Sequence, residues 1–466
     1  MMNQPQQESE LTADIVVVGA GMAGIRAALE AVRLGVEVLI LEKMPGIGGS
    51  TVMSGGSFAF AGTDLQAKQG IEDGPERLRN DLIEVGGGHN DPDLIEVYVR
   101  EQLSEYQFLS DLGIRFSPIQ SSSGQSVPRS HPASPKLVLD RLYDQLRQLP
   151  GSTCLTNAKV TRLVKGVRGR LDTVNFVHDG RIMTCRARMG VLLASGGFAR
   201  SEELLQLFAP ETRRALRAGG LGNEGDGLKL AWEHGAALRD VGYVKGTFGS
   251  YIEEDPIEPH TILLPVYRGA IAVNLAGARF VDESQSYKKL GEACLKEDQA
   301  RAFQIFDEPI MATSIDGVPS FDFRAAERKG RIISAGSISE LAAKAGLDPE
   351  QLAKTIDTYN ADVPRGMDRA FGRRHLAHTH GALAEVRQPP FYAYPSTTVV
   401  NTTYAGLRVR DDMAVMNVWD EPLPGLFAGG EVVGGFHGEA YMTGSSLVKA
   451  LICGKIAARS AVAQAA

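Results

Sequence analysis

An α/β fold, a Rossmann-like parallel sheet with a long stretch of different character before its last part, is predicted by three observations. Short β-branched runs stop at glycines, at Asp14–Gly19 (DIVVVG), Gly190–Phe198 (GVLLASGGF) and Gly425–Glu431 (GLFAGGE). The first of these leads directly into Gly19-Ala20-Gly21-Met22-Ala23-Gly24. Between Val241 and Val399 the character changes, and Ile338–Tyr359 reads as a helical pair.

Asp14–Gly19 reads as a buried parallel strand, because an apolar run without alternation needs cover on both faces. A helix continues through about Leu34, and a second strand, Val36–Leu41, ends in Glu42. This is a complete βαβ dinucleotide fingerprint. Gly19, Gly21 and Gly24 permit the tight turn and the approach of a pyrophosphate, and the helix N-terminus holds its charge. Glu42 can bond the adenosine ribose.

The segment after Glu42 separates FAD from NAD. Lys43–Gly56 (KMPGIGGSTVMSGG) is a second glycine-rich loop, for which an NAD unit has no need. It suits the longer FAD, with Lys43, Gly48, Gly49, Ser50, Thr51, Gly55 and Gly56 brought to the cofactor. Thr156–Val164, including Val160, and Val174–Val177 look like strands of an inserted sheet. Ala194 and Gly196 end the next buried strand, and Asn223–Gly227 (NEGDG), with Asp226, precedes a helix at Leu228–His234. Glu431 suits a ribityl hydroxyl or a helix N-cap. Ser445, Ser446 and Leu447 open a last helix that completes the cofactor-binding set.

A chain of 466 residues can hold a large core plus a second domain. A formal net charge of −7 leaves no basic footprint for nucleic acid or anionic membrane. The apolar runs fall short of a bilayer span, and Met1–Ala13 is polar without a signal-peptide core, so a cytoplasmic location is expected. Cys154, Cys185, Cys294 and Cys453 are scattered with no CxxC or haem spacing, which fits reduced thiols and no metal site.

The ordered set VVVGAGMAG, LEKMPGIGGSTVMSGG, LLASGGF, NEGDG, IAVNLAGARFVDES, LFAGGEVVGG and HGEAYMTGSS resembles the fumarate reductase and succinate dehydrogenase flavoprotein superfamily, from Ala13 to about Ala458. The resemblance implies an FAD domain of glutathione-reductase type over residues 13–240 and 400–466. A mobile capping domain would span 241–399, with the flavin between the two and cap closure excluding water. Gly49–Gly56 lacks the histidine that carries covalent FAD in respiratory relatives, so non-covalent FAD is expected. No second GxGxxG for NAD(P)H occurs, so electrons are expected to pass to an external acceptor: a quinone, an electron-transfer protein or O2.

Fumarate-reducing members clamp a dicarboxylate with two histidines and two arginines. The matching positions here are Thr247, Tyr287, Thr402 and Tyr441, so the charged partners of two carboxylates are missing from them. Tyr287 and Tyr441 instead resemble the tyrosines of the 3-ketosteroid Δ1-dehydrogenases and related cyclic-ketone desaturases, although YMTGSS lacks the proline of that branch's turn.

That resemblance implies a small-molecule carbonyl substrate. Tyr441 with the amide of Gly444 or Ser445 would stabilise an enolate, Tyr287 would take the α-proton, and Thr247 and Thr402 would touch the substrate. The expected reaction is FAD-dependent formation of an α,β C=C bond, with the β-hydride passing to flavin N5. The alternative is reduction of C=C in a non-dicarboxylate unsaturated acid. A third reading, an electron-transfer subunit, would want a haem motif or cysteine cluster, and the sequence has neither. Four residues stay open: Arg268 between proton delivery and a salt bridge, His437 between a hydrogen-bonding and a turn role, and Arg129 and His131 between substrate and an FAD phosphate.

Overall fold

The computed structural model describes residues 10–166, 169–244, 246–252, 261–318, 320–377 and 381–465, so most of the polar N-terminal stretch lies outside the described residues. The chain forms two compact units, one of Met1–Ala209, Gly219–Val244 and Thr402–Ala466, the other of Pro210–Ala218 and Lys245–Asn401.

Among the described residues, the first unit holds an eight-stranded sheet. Its main path runs Ala414–Met416, Pro422–Ala428, Arg181–Leu193, Glu10–Val18, Val38–Leu41 and Ser152–Leu155. Glu10–Val18 pairs in parallel with Val38–Leu41 on one side and Arg181–Leu193 on the other. Ile15, Val16 and Val17 are fully buried, as a strand covered on both faces requires.

The strands expected to form an inserted sheet belong to this same sheet. Arg181–Leu193 is 13 residues long, and its first half pairs antiparallel with Leu171–His178, which pairs in turn with Ala158–Lys165. The continuity of that one strand joins the two regions. The C-terminal helix, Ser445–Ala463, packs against the helix Met22–Arg33 at van der Waals closeness. A Cβ at Gly454 would lie 2.2 Å from the Ala23 carbonyl oxygen. Buried charges at this junction are paired, Arg26 with Glu30 and Glu105, and Lys455 with Glu105, which offsets their desolvation.

The second unit is α+β. Its strand Phe391–Val400 is buried at every position and pairs with Thr247–Ser250, Ala302–Asp307, Ile333–Ala335 and Leu216–Arg217. The parallel pairing of Leu216–Arg217 explains why Pro210–Ala218, which the sequence patterning places in the first domain, folds with this unit. Helices Tyr287–Lys296, Ile338–Ala345 and Pro349–Asp362 complete it.

All four cysteines are free, three buried and Cys154 half-buried. No helix among the described residues is long and apolar enough to cross a membrane, and none of their side chains cluster as a metal site.

Candidate active site

The first glycine turn is dictated by backbone contacts. Gly19 has φ +107°, and a Cβ there would meet the Ala194 carbonyl oxygen at 2.4 Å. At Gly24 a Cβ would stand 2.0 Å from the Gly19 oxygen. Gly21 differs, since its Cβ would meet only Thr51 Oγ1 at 3.6 Å and the Gly48 oxygen at 3.7 Å, leaving open space beside the helix N-terminus.

The second loop closes over the first: the Gly48 N–H donates to the Ala20 carbonyl (3.0 Å), and the Met22 N–H to Thr51 Oγ1 (3.1 Å). Gly49 and Gly55 face empty space. Ser54 Oγ and Ser195 Oγ are buried without a hydrogen-bond partner among the described residues. Open glycine faces, helix amides and orphaned hydroxyls form a cradle that fits an extended diphosphate.

Glu42 ends the second strand with its carboxylate fixed by the N–H groups of Ala20 and Met44, both at 2.8 Å, and lone pairs remain for a diol. Lys43 bonds Glu224 and Asp226. Burial alone would lower its pKa, but the two carboxylates outweigh that and hold the ammonium charged. Val160 lies on the strand beside this region, and Ala194 and Gly196 lie at the end of theirs.

Glu431 is a hub. It accepts from Thr402 Oγ1 (3.0 Å), the Thr403 N–H (2.9 Å) and Asn223 Nδ2 (3.0 Å), while Asn223 also donates to Ser50 Oγ (2.8 Å). Thr402, expected to face substrate, therefore has its hydroxyl directed to Glu431.

Tyr441, half-buried, sits in the turn before the C-terminal helix. Its hydroxyl oxygen accepts the Gly444 N–H at 2.9 Å. Gly444 was expected to act beside Tyr441 as a second donor; its amide is instead engaged by Tyr441 itself. With its oxygen accepting from the backbone, the phenol keeps its own proton to donate, and Ser446 is within hydrogen-bonding reach of the same hydroxyl. Burial raises its pKa, so it stays protonated. His437 packs 5.4 Å from its ring and 5.0 Å from that of Tyr404, and its Nε2 pairs with Ser446 Oγ at 3.2 Å, a hydrogen-bonding role. Ser445 and Ser446 open the helix, Ser445 Oγ donating back to the Met442 carbonyl; Leu447 is buried beside them.

In the second unit, Tyr287 is the first residue of its helix, capped by Ser286. The next residue, Lys288, is only 1% exposed and donates to Thr247 Oγ1 at 2.6 Å, which donates to Asn401 Oδ1 at 3.2 Å. The Lys288 ammonium also lies 5.7 Å from the Tyr287 ring centre. The sequence pattern does not reveal this lysine, because it sits one place beyond the clamp position at Tyr287. Arg268 forms no salt bridge among the described residues and lies over the Phe321 ring at 4.6 Å, with burial lowering its pKa. Arg129 and His131 are fully buried within the first unit, Arg129 paired with Asp73 and Asp81, so neither is available to a phosphate.

These features define a nucleotide-binding flavoprotein. Residues 14–447 match the FAD binding domain family, and the chain belongs to it. It is an FAD-dependent oxidoreductase. It is 29% identical to the probable fumarate reductase Ifc3 of Shewanella frigidimarina (strain NCIMB 400), over 97% of this chain and 75% of that protein. Among solved structures it is similar to the open conformation of a flavocytochrome c3 fumarate reductase (TM-score 0.83, 27% identity, 98% of this chain and 79% of that one). It is also similar to 3-ketosteroid-delta4-(5alpha)-dehydrogenase from Rhodococcus jostii RHA1 in complex with 4-androstene-3,17-dione (TM-score 0.78, 25% identity, 98% of each chain).

Proposed function

We propose that the protein desaturates a carbon–carbon bond next to a carbonyl, in a cyclic ketone or 3-ketosteroid-like substrate. The single observation that carries this is the Gly444 N–H to Tyr441 Oη bond, which leaves a protonated phenol as a donor. A phenol at that place stabilises charge developing on a carbonyl oxygen. The absence of arginine and histidine from Thr247, Tyr287, Thr402 and Tyr441 supports a substrate without two carboxylates. Likeness to a ketosteroid dehydrogenase at 25% identity supports the same chemistry.

FAD would be held non-covalently, with Gly19–Gly24 and Gly48–Thr51 for its diphosphate, Glu42 for its adenosine ribose and Glu431 for its ribityl chain. When bound, it supplies the two-electron acceptor for the β-hydrogen and its electron pair. The chain's own residues handle the proton and the charge. By the resemblance to ketone desaturases, Tyr441 would donate to the carbonyl oxygen and Tyr287, as its phenolate, would take the α-proton, so the C=C bond forms as one H+ and one hydride leave. An external acceptor would take the electrons.

The second reading is reduction of an activated C=C bond in an unsaturated acid. Two observations favour it: fumarate reductases stand among the relatives, and Lys288 brings a buried cation to Thr247. Anaerobic mixing of oxidised protein with cyclohexanones, 3-ketosteroids and saturated acids separates the two. Bleaching of the flavin by a ketone is expected. Bleaching by none of them, with reoxidation of reduced protein by an unsaturated acid, would sink the first reading.

A further inference from the structure

The turn Tyr441–Gly444 has no proline and takes its shape from elsewhere. Most of the backbone groups of Met442, Thr443 and Gly444 have a partner. The Thr443 N–H donates to the Ser123 carbonyl at 3.0 Å, and the Gly444 carbonyl accepts the Ala59 N–H at 3.1 Å. The Met442 carbonyl takes the Ser445 N–H at 3.1 Å, and the Thr443 carbonyl takes Gln125 Nε2 at 2.9 Å. Gly444 has φ +92°, and a Cβ there would strike Ser57 Oγ at 2.7 Å and the Ala59 N at 2.8 Å. The turn is pressed onto the strand Ser57–Ala59 on one side and gripped by the loop carrying Ser123 and Gln125 on the other.

Gln125 is 7% exposed and uses its whole amide. Oε1 accepts the N–H groups of Ser122 (3.2 Å) and Arg129 (3.1 Å), while Nε2 donates to Ser130 Oγ (3.2 Å) and the Thr443 carbonyl. Its loop is anchored in turn. Arg129, with no exposed surface, makes a bidentate pair with Asp73 (both contacts 2.8 Å) and a further bond to Asp81. Asp81 also accepts the Ser126 N–H at 2.8 Å, and Arg129 Nη1 comes within 3.7 Å of Met442 Sδ. Buried ion pairs of this geometry are rigid, because breaking one strands a charge without water.

We infer that Gln125, locked by the Arg129–Asp73–Asp81 cluster, is a positioning residue for Tyr441. This rests on the role proposed for Tyr441 above. Gln125 touches no reacting atom; it fixes the Thr443 carbonyl, and with it the distance between the Gly444 amide and the Tyr441 hydroxyl.

The test is a double-mutant cycle on the FAD-loaded protein. Gln125→Glu keeps an acceptor for the Ser122 and Arg129 amides but replaces the donor to Thr443 with an oxygen. Gln125→Met removes the bonds without adding charge, in case the first variant folds poorly. The readouts are FAD content, thermal midpoint, and anaerobic flavin bleaching at limiting and saturating ketone, each with Tyr441 or Phe at position 441.

Retained FAD and a bleaching rate lowered about 10- to 100-fold at saturating ketone are expected, since misplacement by an ångström has that scale. In the Tyr441→Phe background the same change should cost less than about twofold, a dependence that general loop weakening would not produce. An equal loss in both backgrounds, or no loss in either, overturns the assignment. A near-neutral Tyr441→Phe by itself overturns the role of Tyr441 instead, so the two failures are distinguishable.

Discussion

Tyr441→Phe removes one oxygen and leaves the ring, so two consequences can be separated. The first is chemical. The phenol is the donor aimed away from Gly444, and loss of one such donor to a developing oxyanion costs on the order of 10²- to 10³-fold in rate, about 2.7–4 kcal/mol. The second is structural. The Gly444 N–H loses its acceptor, which costs about 1–3 kcal/mol if water cannot reach it. Burial raises the Tyr441 pKa, so the phenol stays protonated below its ordinary value of about 10. The ratio of wild-type to variant rates should therefore be flat between about pH 6 and 9. Stopped-flow bleaching with a saturating cyclic ketone across that range is the assay. A loss below about fivefold, or a ratio that changes with pH in that window, would refute the assignment of Tyr441 as a neutral donor.

Four further outcomes are expected. Gly24→Ala forces a Cβ to 2.0 Å from the Gly19 oxygen and should destabilise the apo fold, whereas Gly21→Ala, with nothing closer than 3.6 Å, should keep apo stability and lose FAD affinity in a titration. Tyr287→Phe should slow bleaching about 10²- to 10⁴-fold as a lost proton acceptor, while FAD content stays unchanged. Lys288→Met, which strips the 2.6 Å bond to Thr247, should lower the rate less than Tyr287→Phe, with Lys288→Arg recovering part of the loss. Burial depresses His131 to about 4, so between its ordinary 6.5 and that value the unfolded chain binds more protons. Stability should then fall with acid through that window by about 3 kcal/mol, and His131→Gln should flatten urea midpoints measured against pH there.

The proposed cofactor half of the site was legible because its constraints belong to the βαβ turn itself. Gly19 and Gly24 are demanded by carbonyls within a few residues or on the adjacent strand end, so the spacing alone carries the information. Glu42, at the end of the second strand, is fixed by the amide of Ala20 in the first glycine turn. The reactive half was legible only as residue types. Tyr441 could be named from its position, but the amide of Gly444 and the hydroxyl of Thr402, both expected to meet substrate, end on Tyr441 and Glu431. No periodicity reports where a hydrogen bond ends.

The same blindness applies to charge. A position-by-position reading finds no cation at Thr247 or Tyr287, yet the fold brings Lys288 to Thr247 from the neighbouring position of the helix. What a site can bind depends on the groups that converge there, whichever residues supply them. The support of Tyr441 makes the point most strongly, because Asp73, Asp81, Gln125 and Arg129 act on a turn more than 300 residues away in sequence. A turn stiffened by proline would have been visible in the sequence around Tyr441. One held by a buried arginine and two aspartates is visible only once the chain has folded, so the substitution that tests how this tyrosine is held lies at Gln125, in a segment whose own residues carry no sign of it.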